Sequence, residues 1–442
     1  MLKGGQKTRT VLGRFLTAAI VGPGFVLCLI LPTNPALAED IIVATYEGVI
    51  NPVAAEYLHD AIAYAQTSSA QALIFKLDTP GGLDTSMRLM IKDMTGSPIP
   101  VIVFVAPSGG RAASAGVFIT MAAHVAAMAP GTNIGAAHPV AMGGGEMDNT
   151  MKEKVENDAA AYIKSIAERH GRNVSWAEDA VRKSVSATEQ EALKLKIIDV
   201  IANDIPTLLK QLRGRKIAVP NGSITFSSET ATLHEFPMGT RLELLKILSD
   251  PNIAYLLMSI GTIGIMAELY SPGTILPGII GAISLILAFY SLQSLPVNYA
   301  GAFLVILGAV FLLLEISVTS YGLLALGGLA AMMLGGLFLI KSDAPFLQIS
   351  LSFLLPTVMT IGCLIGIIAW TAVKSTRGRP VTGVEGMIGS IGIARTDLNP
   401  RGQIMVQGEI WEAVSQTPIL QGEAAEVMSV EGLTVKVAPA HK

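Results

Sequence analysis

The sequence of 442 residues is poor in charge and in cysteine. Only 15% of its residues are charged, whereas soluble domains carry about 25%, and 51% are hydrophobic, with a mean hydropathy of +0.54. A net charge of −3 offers no basic surface to nucleic acid. Two cysteines are too few for a disulfide framework or a cysteine-held metal cluster. The composition excludes a wholly soluble enzyme and indicates a membrane protein with soluble parts.

The first apolar run lies at the N-terminus. Basic residues precede it, it extends over 15–31, and Ala36-Leu37-Ala38 then places small residues where a cleavage site requires them. This order predicts a secretory signal peptide over residues 1–38; the alternative is an uncleaved anchor helix. The basic residues stay in the cytoplasm in either case, so the segment that follows, 39–240, is expected outside it.

The second apolar stretch predicts a transmembrane region over 250–374. Four charged residues lie within 251–373, among them Glu268 and Glu315, which fall near the ends of apolar runs, where an interfacial position is expected. Four spans with a re-entrant segment are the alternative to five, because the first run is short and contains glycine. Five spans would return the chain to the cytoplasm, where basic residues follow. Spans are predicted at 252–269, 275–293, 299–316, 321–340 and 350–373.

The exported segment alternates apolar strands with helical patterns. This alternation predicts the α/β class, with a largely parallel sheet covered on both faces. A polar stretch over 219–236, with Asn221-Gly222 as a turn signal, predicts a hairpin before the membrane. The predicted strands are 41–46, 72–77, 101–105, 125–128 and 197–201, and the predicted helices are 53–66, 85–94, 151–170, 176–183 and 188–195.

Ser114 is the candidate nucleophile of this segment. It stands among alanines and glycines after an apolar strand and at the predicted start of a helix, whose N-terminus favours negative charge. Gly81 and Gly82 end another predicted strand, where backbone N–H groups can hold an oxyanion. Two plainer readings remain open. Ser114 can be a simple helix cap, and the glycines an ordinary strand-to-helix turn.

A serine nucleophile needs a base, and the residues leave several candidates. His138 follows Ser114 in the chain, and Lys154 opens a strongly helical segment. Lys152 and Lys164 are equal candidates by spacing alone. A lysine serves as a base only where loss of hydration lowers its pKa.

A lysine base therefore requires a dry site. Met147, Met151 and Val155 are expected to supply part of an apolar wall around Lys154. The glycine-containing segment 140–150 is expected to order when an apolar substrate closes over it.

Taken together, several motifs resemble the Clp-type protease and crotonase fold. They are Thr79-Pro80-Gly81-Gly82, Ala113-Ser114-Ala115-Gly116, and Ala187 to Leu193 followed by Ile198-Asp199. The sequence is similar throughout its mature length to the long-form NfeD proteins, a family of membrane-bound Clp-class serine proteases. The motifs that carry this second resemblance are 129–136, 156–163, 248–255 and 268–273.

The resemblance implies a Ser–Lys dyad of Ser114 and Lys154. It implies oxyanion donors at the N–H groups of Gly82, with Gly81 as neighbour, and of Ala115. His138 is the alternative base, but the position at which soluble Clp proteases carry the orienting aspartate falls near Arg182-Lys183, so no third member is evident. The family implies no cofactor and no metal, a stomatin-like membrane protein as partner, and a homo-oligomer.

The C-terminal segment, 380–439, predicts a small all-β barrel of the OB type. Five short alternating stretches separated by glycine-bearing turns give this pattern, which is also the NfeD family's C-terminal domain. Trp411 is its only aromatic residue, and its strands carry few basic residues, so a nucleic-acid interface is not expected. A protein-binding role is the prediction.

Two functions of different classes follow. The first is a membrane-bound serine endopeptidase that cuts apolar segments of membrane-associated proteins, with the protease domain extracytoplasmic and the barrel cytoplasmic. The second is a non-catalytic scaffold of membrane microdomains with stomatin-like partners. An acyl-CoA enzyme of the crotonase type ranks third, because export removes it from its cofactor pool.

Overall fold

The computed structural model describes residues 40–140, 148–227, 231–293, 295–318, 320–342, 345–376 and 384–440. An α/β domain is followed by a bundle of apolar helices and a small β-barrel. This arrangement confirms the predicted fold class. The predicted signal peptide, residues 1–38, lies outside the described residues.

The α/β domain is built on a six-stranded parallel sheet. The sheet order is β11-β1-β2-β3-β5-β8, and every neighbouring pair runs parallel. The strands are β1 (Ile41–Glu47), β2 (Ala72–Asp78), β3 (Val101–Val105), β4 (Arg111–Ala113), β5 (Val125–Met128), β6 (Asn133–Gly135), β7 (Ser186–Thr188), β8 (Val200–Ile201), β9 (Lys216–Val219), β10 (Gly222–Thr225) and β11 (Leu233–Glu235). The helices are α1 (Pro52–Thr67), α2 (Asp84–Gly96), α3 (Ala115–Ala122), α4 (Asn149–Arg169), α5 (Val174–Arg182), α6 (Glu189–Lys194), α7 (Ile205–Leu212) and α8 (Thr240–Leu248).

Local sequence signals set the ends of these helices. The Asn51 side chain accepts a hydrogen bond from the Ala54 N–H at 3.0 Å, and Pro52 occupies the first helical position of α1. Thr188 and Glu191 form a reciprocal capping box at the start of α6. The strands β3 and β5 are buried along their whole length, as expected when helices cover both faces of a parallel sheet.

A second, three-stranded sheet lies beside the first. Its order is β4-β6-β7, with β4 and β6 parallel and β6 and β7 antiparallel. Thr79, directly after β2, forms an isolated bridge with Ala112 of β4. This bridge joins the small sheet to the carboxyl end of the main sheet.

The segment before the membrane departs from the predicted hairpin over 219–236. The hairpin consists of β9 and β10 and closes around Asn221-Gly222, so its turn is as predicted and it begins earlier. β11 instead pairs in parallel with β1 at the edge of the main sheet. A three-residue strand at a sheet edge carries too little periodicity to be distinguished from a loop.

Five apolar helices follow, at the five predicted places. They are α9 (Pro251–Tyr270), α10 (Leu276–Leu292), α11 (Tyr299–Ser317), α12 (Leu323–Leu339) and α13 (Leu351–Thr376), with a 3-10 turn at Pro345–Leu347. Among the described residues, α9, α11 and α13 are long and apolar enough to cross a membrane, while α10 and α12 are shorter.

The first four of these helices form two hairpins of the same construction. A Cβ on Gly281 would lie 2.9 Å from the Gly261 carbonyl oxygen, and a Cβ on Gly328 would lie 2.8 Å from that of Gly308. In each hairpin a glycine pair therefore lets α9 and α10, or α11 and α12, touch backbone to backbone.

A glutamate caps the loop of each hairpin. Glu268 accepts hydrogen bonds from the Gly273 N–H at 3.2 Å and the Thr274 hydroxyl at 2.8 Å. Glu315 accepts from the Gly322 N–H at 2.9 Å and from the Ser320 hydroxyl. Both carboxylates close loops at helix ends, consistent with the expected interfacial position.

The C-terminal part is a closed five-stranded barrel of order β12-β13-β14-β16-β15, as predicted. Its core is aliphatic, and the Trp411 side chain packs against it rather than forming an exposed stacking platform. The short helix α14 (Val384–Met387) precedes the strands β12 (Ile391–Ala394), β13 (Arg401–Val406), β14 (Glu409–Ser415), β15 (Ala424–Glu431) and β16 (Thr434–Pro439).

Candidate active site

Ser114 joins β4 to α3 in a strained backbone conformation. Its φ of 52° and ψ of −115° lie in a region that residues with a side chain rarely adopt. Ser114 occupies the N-cap position of α3, but its side chain makes no capping hydrogen bond. The reading of Ser114 as a simple helix cap is therefore wrong, and its hydroxyl remains available for another role.

Backbone hydrogen bonds on both sides hold this turn. The Ser114 N–H donates to the Gly135 carbonyl at 3.1 Å, and the Ala113 N–H donates to the Thr79 carbonyl at 3.1 Å. The Val117 N–H returns to the Ser114 carbonyl at 3.0 Å and begins α3. The small sheet thus fixes the backbone of Ser114 between β6 and the residue that follows β2.

Gly81 and Gly82 lie directly against this serine. A Cβ on Gly81 would sit 2.5 Å from the Ser114 Cβ, and a Cβ on Gly82 would sit 2.0 Å from the Ile50 carbonyl oxygen. Gly81 also has a φ of 115°. Only glycine fits at either position, so the turn is more than an ordinary strand-to-helix connection.

The Gly82 N–H is directed away from Ile50. The Ile50 N–H donates to the Gly81 carbonyl at 2.8 Å, and the Leu83 N–H donates to the Ile50 carbonyl at 2.7 Å. In a parallel ladder the residue between these two bonds turns its own N–H to the opposite side. The Ala115 N–H, as the first of α3, has no partner within its helix.

His138 follows strand β6 of the small sheet along the chain. It follows Gly135, the backbone partner of Ser114, by three residues, and its side chain is exposed. Its Nδ1 is 2.9 Å from the Val181 carbonyl oxygen, and since a carbonyl only accepts, Nδ1 carries the proton. The histidine therefore has a backbone carbonyl as its orienting group. No hydrogen bond joins His138 to Ser114 in the described residues.

Lys154 lies in the second turn of α4, and its side chain is exposed. Within the described residues it makes no ion pair and no hydrogen bond to Ser114. Met151 is 50% exposed and Val155 is half-buried. Met147 and residues 141–147 lie outside the described residues. The expected dry wall around Lys154 is therefore not formed by Met151 and Val155.

Among the described residues, the side-chain contacts that anchor α4 lie beyond Lys154. Arg182 binds Glu156 at 3.0 Å, and Arg88 pairs with Asp158 while its guanidinium lies 4.3 Å from the centre of the Tyr162 ring. Tyr162 in turn stacks on Phe118 of α3, with ring centres 6.1 Å apart.

This stacking joins the helix that begins after Ser114 to the helix that carries Lys154. Ser114 precedes Phe118 by one turn, and Lys154 precedes Tyr162 by two turns. The other two candidate lysines have different surroundings. Lys164 binds Glu178 at 2.9 Å, and Lys152 is exposed.

A buried charged cluster supports the other end of α3, and sequence reasoning missed it. The Arg172 guanidinium donates to the Thr120 carbonyl at 2.8 Å and the Ala123 carbonyl at 2.9 Å, and it pairs with Asp199 at 2.9 Å. Asp199 also accepts from Arg215 and from the Ala126 N–H. The motif Ile198-Asp199 was a visible signal for this cluster.

Two histidines border the cluster. Burial is the main cause that lowers the pKa of both His124 and His170 to about 4, and the nearby positive charges of Arg169 and Arg172 act in the same direction. Both imidazoles are neutral at pH 7. The described residues contain no group of three side chains that could hold a metal ion.

Comparison with known proteins identifies the family. Family models match three consecutive parts of the chain: the NfeD1b N-terminal domain over residues 41–207, the NfeD integral membrane domain over 252–371, and the NfeD-like C-terminal, partner-binding domain over 384–439. The membrane-bound protease PH1510 of Pyrococcus horikoshii is 35% identical over 431 residues, which cover 94% of this chain and 97% of that protein. The chain belongs to the NfeD family.

A second relative matches this NfeD chain over a similar length, and a solved structure matches about half of it. The membrane protein NfeD1b of Bacillus subtilis is 28% identical over 95% of the chain and 98% of its own length. A solved structure of a mutant 1510-N membrane-bound stomatin-specific protease, in complex with a substrate peptide, is 35% identical. It covers 47% of the NfeD chain and 96% of its own, with a TM-score of 0.45.

Proposed function

We propose that this membrane protein is a serine endopeptidase in which Ser114 is the nucleophile. The backbone strain at Ser114 carries the proposal, because strain of this kind costs about 1–3 kcal/mol and persists mainly at functional sites. The hydroxyl makes no capping bond that would give the strain a structural purpose. The 35% identical relative from Pyrococcus horikoshii is named as a membrane-bound protease.

In the proposed reaction the Ser114 hydroxyl attacks a peptide carbonyl. The Gly82 and Ala115 N–H groups, with Gly81 shaping the turn, receive the negative charge that forms on the carbonyl oxygen. Lys154 takes the hydroxyl proton and passes it to the leaving amine, after which water hydrolyses the acyl-serine. Arg172 caps the far end of α3 and thereby helps to hold the helix at whose start these groups meet.

Lys154 is exposed, and a lysine serves as a base only where loss of hydration lowers its pKa. We propose that an apolar substrate lying over the first turns of α4 removes water from Lys154, with Met151 contributing to the contact. Apolar peptides should therefore be better substrates than polar peptides. A stomatin-like membrane protein is the proposed partner, in line with the stomatin-specific 1510-N protease and with a C-terminal domain of the partner-binding type.

The direct test is Ser114→Ala in the full chain, assayed on an apolar peptide with a fluorogenic leaving group. Cleavage should fall by a factor on the order of 10³ or more, while circular dichroism stays that of the parent. Ser108→Ala, at an exposed serine in the loop before β4, is the matched control and should retain activity. Activity of Ser114→Ala near the parent's level would remove the covalent mechanism and favour a non-catalytic scaffold.

A further inference from the structure

Helix α8 connects the α/β domain to the first membrane helix and is apolar on two sides. Leu242 is buried in the core of the α/β domain, Leu245 packs against that core, and Leu248 is also buried. Leu244 and Ile247, on the other side, are 58% and 55% exposed. A nine-residue helix with an apolar side on the protein and a second apolar side in the open needs a second apolar environment.

The position of α8 indicates what that environment is. The membrane helix α9 begins at Pro251, only four residues after Ile247 and seven after Leu244. α8 also packs against α10, which carries Tyr290 near its C-terminal end. Tyr299 begins α11 and is exposed. Tyrosines at helix ends are typical of the interface between lipid and water.

We propose that α8 lies in the bilayer interface, with Leu244 and Ile247 inserted into lipid. In this position α8 holds the turn at Gly81 and Gly82 (the oxyanion turn) against the membrane surface. Interfacial helices bury their apolar side about 5–10 Å into the boundary between headgroups and acyl chains. The lipid surface is the partner because α8 continues into a membrane helix after only two residues, Ser249 and Asp250.

Contacts from α8 reach the oxyanion turn in two steps. The Lys246 ammonium lies 5.1 Å from the centre of the Tyr46 ring, and Arg241 pairs with Glu56 of α1. The Tyr46 hydroxyl donates to the Val49 carbonyl at 2.8 Å. Ile50, the next residue, makes the two hydrogen bonds that hold Gly81 and Leu83 on either side of Gly82.

This inference rests on the proposed function where it concerns substrates, and it narrows their class. A turn held at the membrane surface receives peptide segments that emerge from the bilayer or lie on it. Substrates anchored in the same vesicle should be cleaved faster than the same sequence free in solution, and the difference should depend on α8.

The placement of α8 is tested without any assay of activity. Leu244→Cys is labelled with an environment-sensitive nitrobenzoxadiazole dye in a full chain whose Cys28 and Cys363 are serine. The protein is reconstituted in vesicles of phosphatidylcholine and phosphatidylglycerol. A nitroxide carried on a shallow position of the lipid chain should quench the dye, and iodide in water should not.

The matched control is Leu195→Cys, at an exposed leucine after α6. Its dye should be quenched by iodide and not by the lipid nitroxide. A dye at position 244 that iodide quenches, or that neither agent reaches because protein covers α8, would overturn the proposal.

The coupling to the active site is tested with Lys246 as a positioning residue. Lys246→Met should lower kcat by about tenfold with little change in KM, since small misplacements of a catalytic turn are costly, and Lys246→Arg should restore it. The pair Leu244→Ser and Ile247→Ser should remove the preference for vesicle-anchored substrate, whereas Leu195→Ser should keep it. Unchanged kcat in Lys246→Met would refute the coupling. A parent chain that cleaves nothing would refute the proposed function and leave the dye measurement standing.

Discussion

The side chains proposed for catalysis differ in how firmly the fold holds them. Ser114 is fixed by hydrogen bonds from both neighbouring strands and by direct packing on Gly81. Lys154 lies before the first anchored residue of α4, in solvent. His138 is tied to the Val181 carbonyl and has its second ring nitrogen open. The proposed nucleophile is therefore preorganised, and the proposed base is the part of the site that a substrate would have to complete.

The identity of the base can be tested with three single substitutions. Lys154→Ala should cost about as much activity as Ser114→Ala, because members of one catalytic unit fail together. Lys152→Ala, two residues earlier on the same helix, is the matched control and should be nearly neutral. His138→Ala should have a mild effect on cleavage of the apolar peptide. Inactivation by His138→Ala, with full activity in Lys154→Ala, would instead indicate a Ser–His pair oriented by the Val181 carbonyl.

The buried histidines make stability depend on pH. Because the folded pKa of His124 and of His170 is about 4, below the value of about 6.5 in an unfolded chain, the unfolded state binds more protons between these values. The free energy of unfolding should therefore fall as pH drops from about 6.5 to about 4. Below about pH 4 these two groups should lower it no further. Trp176 reports on the α/β domain in a full chain carrying Trp370→Phe and Trp411→Phe.

In that chain the urea midpoint should decrease from pH 7 to pH 4.5. His170→Phe should reduce this dependence, since it removes one of the two buried titrating groups. Leu89→Phe, at an exposed leucine of α2, introduces the same ring without removing a histidine, so it is the control and should leave the slope unchanged. A slope in His170→Phe equal to the parent's would contradict the assignment.

At the scale of elements, the sequence predicts the long segments and misses the short ones. The strands β3 and β5 and the five apolar helices lie where apolar runs and turn residues place them. The three-residue strands β4, β6 and β7 were not predicted, although they hold Ser114 and the His138 segment. Three residues show no periodicity, and their pairing is set by tertiary contact.

The candidate site shows the same division. Ser114, Gly81 and Gly82 are visible as residue types in their motifs, and the structure brings the three together. The orienting partner of His138 is a backbone carbonyl, and a backbone contact cannot be predicted from residue types. The solvent exposure of Lys154 is likewise a property of packing, so the sequence could name the lysine but not its surroundings.

A larger residue at Gly328 should destabilise the hairpin of α11 and α12, whereas a larger residue at the neighbouring Gly327 should not. Gly328→Leu would place a side chain against the Gly308 carbonyl, forcing the helices apart at a cost of about 1–3 kcal/mol. At Gly327, the nearest atom to a Cβ is in Phe311, at 3.7 Å, so Gly327→Leu is the matched control. The midpoint temperature of thermal unfolding, measured on the purified chain in detergent, should be lowered by Gly328→Leu only. Equal effects of the two substitutions would contradict the close contact.

For the whole molecule, the order of parts predicts opposite locations for its two ends. Basic residues stand before the first apolar run and after the last helix, α13. A reporter enzyme fused after Glu47 should be active outside the cytoplasm, and one fused at the C-terminus should be active inside it. Reporters on the same side would mean four or six crossings after the signal segment.

The two hairpins of membrane helices have a consequence for the side of the membrane on which the barrel lies. A hairpin that enters and leaves by the same face returns the chain to the side from which it came. If α9 with α10 and α11 with α12 are such pairs, neither hairpin changes the side of the membrane on which the chain continues. The side of the membrane on which the barrel lies then depends on α13, which has no hairpin partner among the described helices.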